Sequence, residues 1–492
     1  MKVALVAILR DEAPDILAWL GWHIMTGVDT FILFDDGSKD GTLDLLRDAA
    51  TLHDIRIYAI DYSVDPHLHR QRLAYTIALN GLQDEFDWVG LLDADEYLLL
   101  CRHKNLKEFL NGFGEDVGAV GINWCNYGSN GYVIKPIMPP FYAFTRHYLP
   151  DHYVNQHVKS FVRPASWSGE WNNFHYFEND RRYVNPDGHD IVWSETLGRT
   201  QGLPAWNTAK IMHYQLRSME QYVERARRRS DILVRPEGFT QCDHNDLYDP
   251  RPFQHTTVVM DWVRRAVEQG CARTLDALDI EDFNEATHLP PSEPALRLLG
   301  IKPMEGDDLD IVNGSIHLVK DGENSHQLLA LQIGEIKKKV FLIVINSEGN
   351  LINFRIDEDT RVLGNLSYEL IATASPDLFA LQQAAYKTYL TAMPLPHGGA
   401  VIADRRKIQE WELFRVRTFD RGEIIIKLYN SPFLTFLRRA LSKPITIPTI
   451  ARLAREDMRQ TIACLPILLS AMSEEDAKTL KSRLGVLIRY IL

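Results

Sequence analysis

Hydrophobic positions in the first hundred residues alternate between two textures. Val3 to Leu9 is an unbroken apolar run, as expected of a strand covered on both faces. After it, Ile16, Leu17, Leu20 and Ile24 recur at helical spacing. Thr30 to Phe34 predicts a second strand, and Leu43, Leu45 and Leu46 carry the helix that follows. Ile55 to Ile60 predicts a third strand, His69 to Leu79 a helix, and Trp88 to Leu92 a fourth strand. This alternation predicts an α/β fold with a mostly parallel sheet flanked by helices. Ligands of such sheets bind beyond the carboxyl ends of the strands.

From 118 to 215 the texture becomes aromatic and irregular, with Trp124, Tyr127, Tyr132, Trp167, Trp171, Tyr176 and Trp193, which suits an acceptor-binding half built on loops. A helix starting near Ser218 carries Tyr222 and Val223 on one side. Arg225, Arg227, Arg228 and Arg229 lie around the other, most simply a solvated face. Beyond a stretch that is Pro-rich and then acidic at Glu305-Gly306-Asp307-Asp308, strands and turns dominate: Val340 to Ile345, Asn350 to Ile356, Phe379 to Gln382 and Ile424 to Tyr429. Gly349-Asn350-Leu351, Thr388-Tyr389-Leu390 and Pro432-Phe433-Leu434 place leucines at a period of about 40, so three units closing into a β-trefoil are expected. The last stretch is an amphipathic helical one, with Ile462, Leu465, Leu468 and Leu469 on its packed face. The expected division is a catalytic domain over 1–290, a linker over 291–312, a trefoil-like domain over 313–442 and a helical tail over 443–492.

Composition narrows the function. A chain of 492 residues exceeds what one hydrophobic core usually holds. Its net charge of -12 disfavours a nucleic-acid partner, which calls for a basic face. Cys101, Cys125, Cys242, Cys271 and Cys464 form no CxxC pair, which argues against a disulfide framework or a zinc knuckle. Met1 to Leu9 runs directly into Arg10-Asp11-Glu12 and reads as a first strand instead of a signal peptide. With no long uncharged stretch, a cytoplasmic location is expected.

Two acidic turns carry the candidate chemistry. Asp35-Asp36-Gly37-Ser38-Lys39-Asp40-Gly41-Thr42 follows the second strand, and Asp93-Ala94-Asp95 follows the fourth. Sugar transfer from a nucleoside diphosphate needs the leaving diphosphate neutralised, and carboxylates at a strand end select the hard cations that do this, Mn²⁺ or Mg²⁺. Asp95 is expected to ligate the metal directly, with Asp93 on the ribose or a metal-bound water. Asp36 is expected to accept from the nucleobase, while Gly37 and Ser38 allow close backbone approach. The plainer alternative is that Asp40 or Thr42 simply caps a helix.

These residues resemble family 2-type glycosyltransferases, specifically the branch that opens with Arg10-Asp11-Glu12, continues with Trp19-Leu20-Gly21-Trp22-His23 and Gly27, and then carries the DDGSKDGT turn and Asp93-Ala94-Asp95-Glu96-Tyr97. Val158-Lys159-Ser160-Phe161-Val162-Arg163-Pro164 and His213-Tyr214-Gln215-Leu216-Arg217-Ser218 are similar to later blocks of that branch, so the likeness covers residues 1–235. It implies a GT-A fold, a UDP- or GDP-linked sugar donor, a glycan, polysaccharide or other hydroxyl acceptor, a divalent metal and inversion at the anomeric carbon. By position it implies that Arg10, Glu12, Asp36 and Ser38 line the nucleotide pocket and that Asp93 and Asp95 form the metal motif. It further implies that His213 adds a metal or diphosphate contact and that Lys159 and Arg163 meet the diphosphate. A structural histidine and structural ion pairs are the alternatives. A carboxylate must take the acceptor proton; among Glu170, Glu178, Asp180, Asp190 and Glu195, Glu178 is the chosen base.

The later segment is similar to fascin-like β-trefoil domains through Phe379-Ala380-Leu381-Gln382, Tyr386-Lys387-Thr388-Tyr389-Leu390 and Trp411-Glu412-Leu413-Phe414. Two rival functions remain. Nucleotidyl transfer to a sugar phosphate calls for a Gly-rich basic loop after the first strand, which Arg10-Asp11-Glu12 does not supply. The other is a non-catalytic carbohydrate-binding protein acting through the trefoil. Peripheral membrane association and oligomeric state are left open.

Overall fold

The computed structural model describes residues 1–60, 70–136, 138–228, 236–278, 296–304, 307–312, 315–320, 322, 325–333, 339–352, 367–383, 387–420 and 422–491. The chain divides into two compact units, Met1–Gln269 and Gly270–Leu492.

In the first unit the apolar runs become strands β1 (Val3–Leu9), β2 (Thr30–Asp35), β3 (Asp54–Ala59) and β4 (Trp88–Leu91). Between them lie helices α1 (Ile16–Thr26), α2 (Thr42–Ala49) and α3 (Arg70–Gly81). β1 pairs in parallel with β2 and β4, and β2 with β3. Both faces of β1 are covered: Ala4 and Val6 pack toward Ala74, Tyr75 and Ala78 of α3, while Val3, Leu5 and Ala7 are equally inaccessible to water. A strand buried on both faces has no use for polar positions, which is why the run is unbroken.

The sheet continues through β5 (Glu96–Leu100), β6 (Val117–Asn126), β7 (Val158–Val162), β8 (Arg182–Val184) and β9 (Ala209–His213). The order across it is β3-β2-β1-β4-β7-β6-β9-β5, with β8 also paired to β6. β7 is antiparallel to β4 and β6, so the sheet is mixed. A Cβ on Gly90 would sit 2.5 Å from the Phe161 ring, so only glycine lets β4 and β7 approach this closely. Helix α4 (Met219–Arg228) follows β9 after a short turn, and helix α5 (Thr256–Asp276) sets Val259 and Trp262 against Gly21 of α1.

The second unit is β-rich. Its strands are β10 (Leu296–Pro303), β11 (Asp308–Val312), β12 (Ser315–Val319), β13 (His326–Ile333), β14 (Lys339–Asn346), β15 (Leu351–Ile352), β16 (Ser367–Ala372), β17 (Leu378–Gln383), β18 (Tyr389–Ala392), β19 (Val401–Arg405) and β20 (Phe414–Thr418). The antiparallel pairings β10–β13, β13–β14, β14–β16, β16–β17, β17–β20 and β20–β10 return to their start, so these strands form a closed ring. Hairpins β11–β12 and β18–β19 lie outside it. Ile301, Leu328, Ala330, Val340, Leu342, Val344, Tyr368, Leu381 and Phe414 fill its core.

Three expectations change. Strands β10 and β11 occupy much of the stretch expected to be a linker over 291–312. Ile424 to Tyr429, expected as a strand, lies in helix α6 (Gly422–Tyr429), and Pro432-Phe433-Leu434 opens helix α7 (Pro432–Leu441). The Ser431 hydroxyl accepts from the Leu434 amide and Pro432 occupies the first turn, a helix start that outweighs the leucine spacing. Helices α8 (Ile447–Glu456), α9 (Met458–Ala471) and α10 (Glu474–Leu484) follow. Tyr386, most of Asn350 to Ile356, and the first residue of the helix expected from His69 lie outside the described residues. Among the described residues no helix is long and apolar enough to cross a membrane.

Candidate functional site

β1, β2 and β4 are parallel, so the segments that follow them, Arg10-Asp11-Glu12, Asp36 and Asp93-Ala94-Asp95, emerge at the same edge of the sheet. There they line a cleft of about 420 Å³ together with Asp15, Gln71, Lys135, Arg217, Glu224 and Arg225. That volume lies in the range of small-molecule sites.

The first acidic turn is largely a brace. The Ser38 hydroxyl accepts from the Asp11 amide at 3.0 Å, Thr42 Oγ1 from the Glu12 amide at 2.9 Å and Asp40 Oδ2 from the Ala13 amide at 3.0 Å. Asp11 Oδ1 returns a bond to the Lys39 amide, and Asp35 takes the Gly37 amide. Asp11 is thereby held at φ 55, a left-handed conformation unusual for a non-glycine residue. Ser38, expected in the nucleotide pocket, instead fixes the loop that carries Asp11 and Glu12 and does not line the cleft. Asp36 does line it, paired with Arg70 at 2.8 Å and with Arg10 at 3.7 Å.

The second acidic turn is clamped by α1. Trp19 Nε1 donates to the carbonyls of Asp93 at 3.1 Å and Glu96 at 2.9 Å, and Trp22 Nε1 donates to the Leu98 carbonyl at 2.7 Å. His23 holds the Trp19 carbonyl through Nδ1 and the Leu98 amide through Nε2. Burial lowers its pKa to about 3, so the ring is neutral and can serve both contacts. The tryptophan and histidine positions of the motif therefore fix the backbone of Asp93 to Leu98.

Beneath the turn, Lys159 is fully buried between Asp93 at 2.7 Å and Glu96 at 3.3 Å. Burial alone would lower its pKa, yet the two carboxylates hold it above the ordinary lysine value. Asp93 Oδ1 also accepts from Gln71 Nε2 at 2.8 Å and the Tyr75 hydroxyl at 3.3 Å, so both of its oxygens are engaged. Glu96 accepts from the Asp93 amide and from Trp124 Nε1.

Asp95 stands differently. Its Oδ1 lies 3.7 Å from His213 Nε2, and its Oδ2 lies 3.5 Å from Arg225 Nη1. Burial would raise its pKa, but His213, Arg225, Arg217 and Lys159 lower it to about 2. The His213 tautomer follows from a chain of bonds. Asn155 Nδ2 donates to the Leu149 carbonyl, so Asn155 Oδ1 accepts from Asn126 Nδ2, and Asn126 Oδ1 accepts from His213 Nδ1. Burial lowers the His213 pKa to about 4, leaving a neutral ring. The unprotonated Nε2 therefore faces an ionised carboxylate, two acceptors turned toward one point.

Not every expected residue reaches the cleft. Lys159 lies near the start of β7 and Arg163 directly after its end, roughly 13 Å further along the chain. There Arg163 has its Nε on the Val117 carbonyl at 3.0 Å and its guanidinium 4.3 Å over the Trp88 ring. Glu178 sits on a hairpin formed by Trp167–Asn173 and Tyr176–Asn179 and does not line the cleft. Residues beyond the expectations do line it: Asp15, which takes Arg217 Nη1 at 2.7 Å, and Arg225, hidden in a run read as a solvated face. Among the described residues no group of three or more His, Cys, Asp and Glu is arranged to hold a metal; Asp95 and His213 offer two donors.

Residues 6–227 match the family model of glycosyltransferase family 92. A family 92 protein of Arabidopsis thaliana is 22% identical over 226 residues, 43% of this chain and 37% of that protein. One of Ricinus communis is 23% identical over 198 residues, 39% of this chain and 34% of its own. The chain thus spans about a third of the length of these curated relatives. Among solved structures, Staphylococcus aureus TarS 1-349 is similar at 12% identity over 66% of this chain and 98% of that one, with a TM-score of 0.25. Glucosyl-3-phosphoglycerate synthase from Mycobacterium tuberculosis, in complex with Mn²⁺, UDP and glucosyl-3-phosphoglycerate, is 21% identical over 25% of this chain and 44% of its own, with a TM-score of 0.18. Every residue that lines the cleft falls within the family-matched segment.

Proposed function

We propose that the first unit is a metal-dependent glycosyltransferase of GT-A type that moves a sugar from a UDP- or GDP-linked donor to a hydroxyl of a glycan or similar acceptor. The observation that carries this reading is the pairing of Asp95, which lines the cleft, with the buried His213, an ionised carboxylate 3.7 Å from an unprotonated imidazole nitrogen. Two facing acceptors repel unless a cation lies between them, and a mixed oxygen and nitrogen donor set suits Mn²⁺ better than Mg²⁺. When bound, the metal supplies positive charge to the leaving diphosphate.

The chain's own residues do the rest. Asp36, Arg10 and Glu12 receive the nucleoside at one part of the cleft. Asp93, already neutralised by Lys159, stands as a hydrogen-bond acceptor toward the ribose or a bound water more readily than as a metal ligand. Trp19 and Trp22 keep the turn in place. Inversion at the anomeric carbon is the outcome that the resemblance to family 2-type enzymes favours.

We further infer that β10 to β20 form a β-trefoil, which the closed ring and the hairpins β11–β12 and β18–β19 support, and that it binds a glycan acceptor or a partner protein. The test of the whole reading is hydrolysis or transfer measured over a panel of UDP- and GDP-sugars with Mn²⁺. Activity that Asp95→Ala abolishes supports it. Activity undiminished in that variant overturns the metal assignment, and absence of any metal-dependent nucleotide binding favours a non-catalytic carbohydrate binder.

A further inference from the structure

We propose that Tyr132, Val133, Ile134 and Met219 form a subsite beside the cleft for the apolar part of the acceptor, so that the acceptor hydroxyl is one carried on an alkyl or lipid-like group; this rests on the glycosyltransferase reading above. Val133 is 61% and Ile134 47% exposed, and Tyr132 and Met219 are each 39% exposed. Single apolar residues on a surface are ordinary, but three in succession with a fourth against them form a patch. Backbone bonds hold the four together: the Met219 and Glu220 amides at the start of α4 donate to the Tyr132 and Val133 carbonyls at 3.1 and 2.9 Å. The segment is fixed at its root as well. Asp243 accepts from the amide and the hydroxyl of Ser129, each at 2.7 Å, and Asn245 Oδ1 accepts from the Asn130 amide at 2.8 Å. Phe144 meets the Tyr132 ring edge-on, with centroids 5.8 Å apart. The apolar side chains are therefore presented on a preorganised support, which lowers the cost of binding to them.

The patch borders the cleft. Lys135, next in sequence to Ile134, lines it, with its amide on Glu220 Oε2 at 2.7 Å and its Nζ 3.8 Å from Asp15 Oδ2. On α4, Gln221, Glu224 and Arg225 line it too, all within two turns of Met219. An acceptor whose hydroxyl enters the cleft therefore meets Ile134 and Val133 with what it carries outside. Other occupants fit less well. Four part-exposed side chains offer on the order of a few hundred Å² of apolar surface, whereas a stable protein interface buries about 800 Å² per partner. Charge disfavours an anionic bilayer, since Glu220 and Glu224 stand exposed beside the patch and the chain carries a net charge of -12. An alkyl chain needs only apolar area. Complete burial of one methylene raises affinity about fourfold, so a patch that covers one side of the chain gives about twofold.

The test is titration of methyl, butyl, hexyl and octyl β-D-glucosides, each below its micelle concentration, into the full chain with Mn²⁺ and UDP or GDP present, followed by saturation-transfer nuclear magnetic resonance. Affinity should rise about twofold per added methylene. Val133→Ser combined with Ile134→Ser should flatten that rise, so that methyl and octyl glucosides bind alike. Both positions are exposed, and thermal melting checks that the fold is kept. Ile426→Ser, at the exposed isoleucine of α6, should leave the series unchanged. The same proteins are floated with vesicles of phosphatidylcholine, alone and mixed with phosphatidylglycerol, and their mass is followed by sedimentation. A series that is flat in the wild type, or a rise that the double variant retains, overturns this inference, while intact metal-dependent nucleotide binding keeps the glycosyltransferase reading. A flat series together with vesicle binding or self-association that the double variant loses assigns the patch to a bilayer or to a second copy, and overturns the inference likewise. Absence of nucleotide binding under any condition overturns that reading, and the acceptor role with it, whatever the glucosides do.

Discussion

Lys159 Nζ lies 2.7 Å from Asp93 Oδ2 in a position where the lysine is 1% exposed, so one buried ammonium holds the second acidic turn from below. Glu96, fully buried, shares the same ammonium at 3.3 Å. Removing one partner of a buried ionic group is far costlier than never having built it. Lys159→Met should therefore destabilise the chain by about 3–5 kcal/mol. Adding Glu96→Gln to that variant should restore little, because both Glu96 oxygens accept, from the Asp93 amide and from Trp124 Nε1, and the glutamine nitrogen would face one of those donors. Urea unfolding curves of the single and double variants check this; a Lys159→Met midpoint equal to wild type would show that the triad is not the support described.

Trp19→Phe removes a donor shared by the carbonyls of Asp93 and Glu96 while keeping an aromatic ring in the core. The expected cost is about 1–3 kcal/mol, the range for leaving a buried acceptor without its bond. Because the freed carbonyls belong to the turn itself, the variant should also weaken Mn²⁺-dependent nucleotide binding at a temperature where it is fully folded. Stability lost with binding unchanged would contradict the clamp.

The parts of this picture legible in the sequence are those written in consecutive residues. The unbroken runs of β1 and β2 and the two acidic turns could be read directly, because strand burial and turn chemistry are local. The grounds for Trp19, Trp22 and His23 were not legible, since their partners on Asp93, Glu96 and Leu98 lie over seventy positions away. Arg217 and Asp15 meet across 202 positions. Charge and residue type alone point to Arg163 and Glu178, whereas the direction of β7 puts Arg163 just past the strand's end, on the Val117 carbonyl. Ile424-Ile425-Ile426 reads as a strand from β-branched content, yet the segment is helical and Ile426 is 63% exposed. In the second unit the linker expectation failed because Pro303 closes a strand that pairs with β20 at Phe414, a partner that local composition does not reveal.

Acid should unfold this protein through its buried histidines. Burial, and then the Lys210 charge, lower the pKa of His147 from the ordinary 6.5 to about 4, against the hydrogen bond to the Tyr148 carbonyl. In the unfolded chain the ring titrates near the ordinary value, so between pH 6.5 and 4 the unfolded state binds the extra proton. The contribution is present in full above that window, is lost as pH falls through it, and changes no further below it. The depression corresponds to about 3 kcal/mol as an upper figure. His23 and His213 act in the same direction. Unfolding free energy measured from pH 7 to 4 should fall steeply, and His147→Gln should flatten the slope; an unchanged slope would mean that His147 is protonated in the fold.

The most direct test of the central claim is Mn²⁺ binding itself, read from the loss of the free-ion signal in electron paramagnetic resonance as protein is added with and without UDP or GDP. Binding should be tightened by the nucleoside diphosphate and weakened at least about 10-fold by Asp95→Asn and by His213→Gln, since even a group that only orients a metal ligand is worth that much. Mn²⁺ affinity that is absent in the wild type, or equal in all three proteins, would contradict the account.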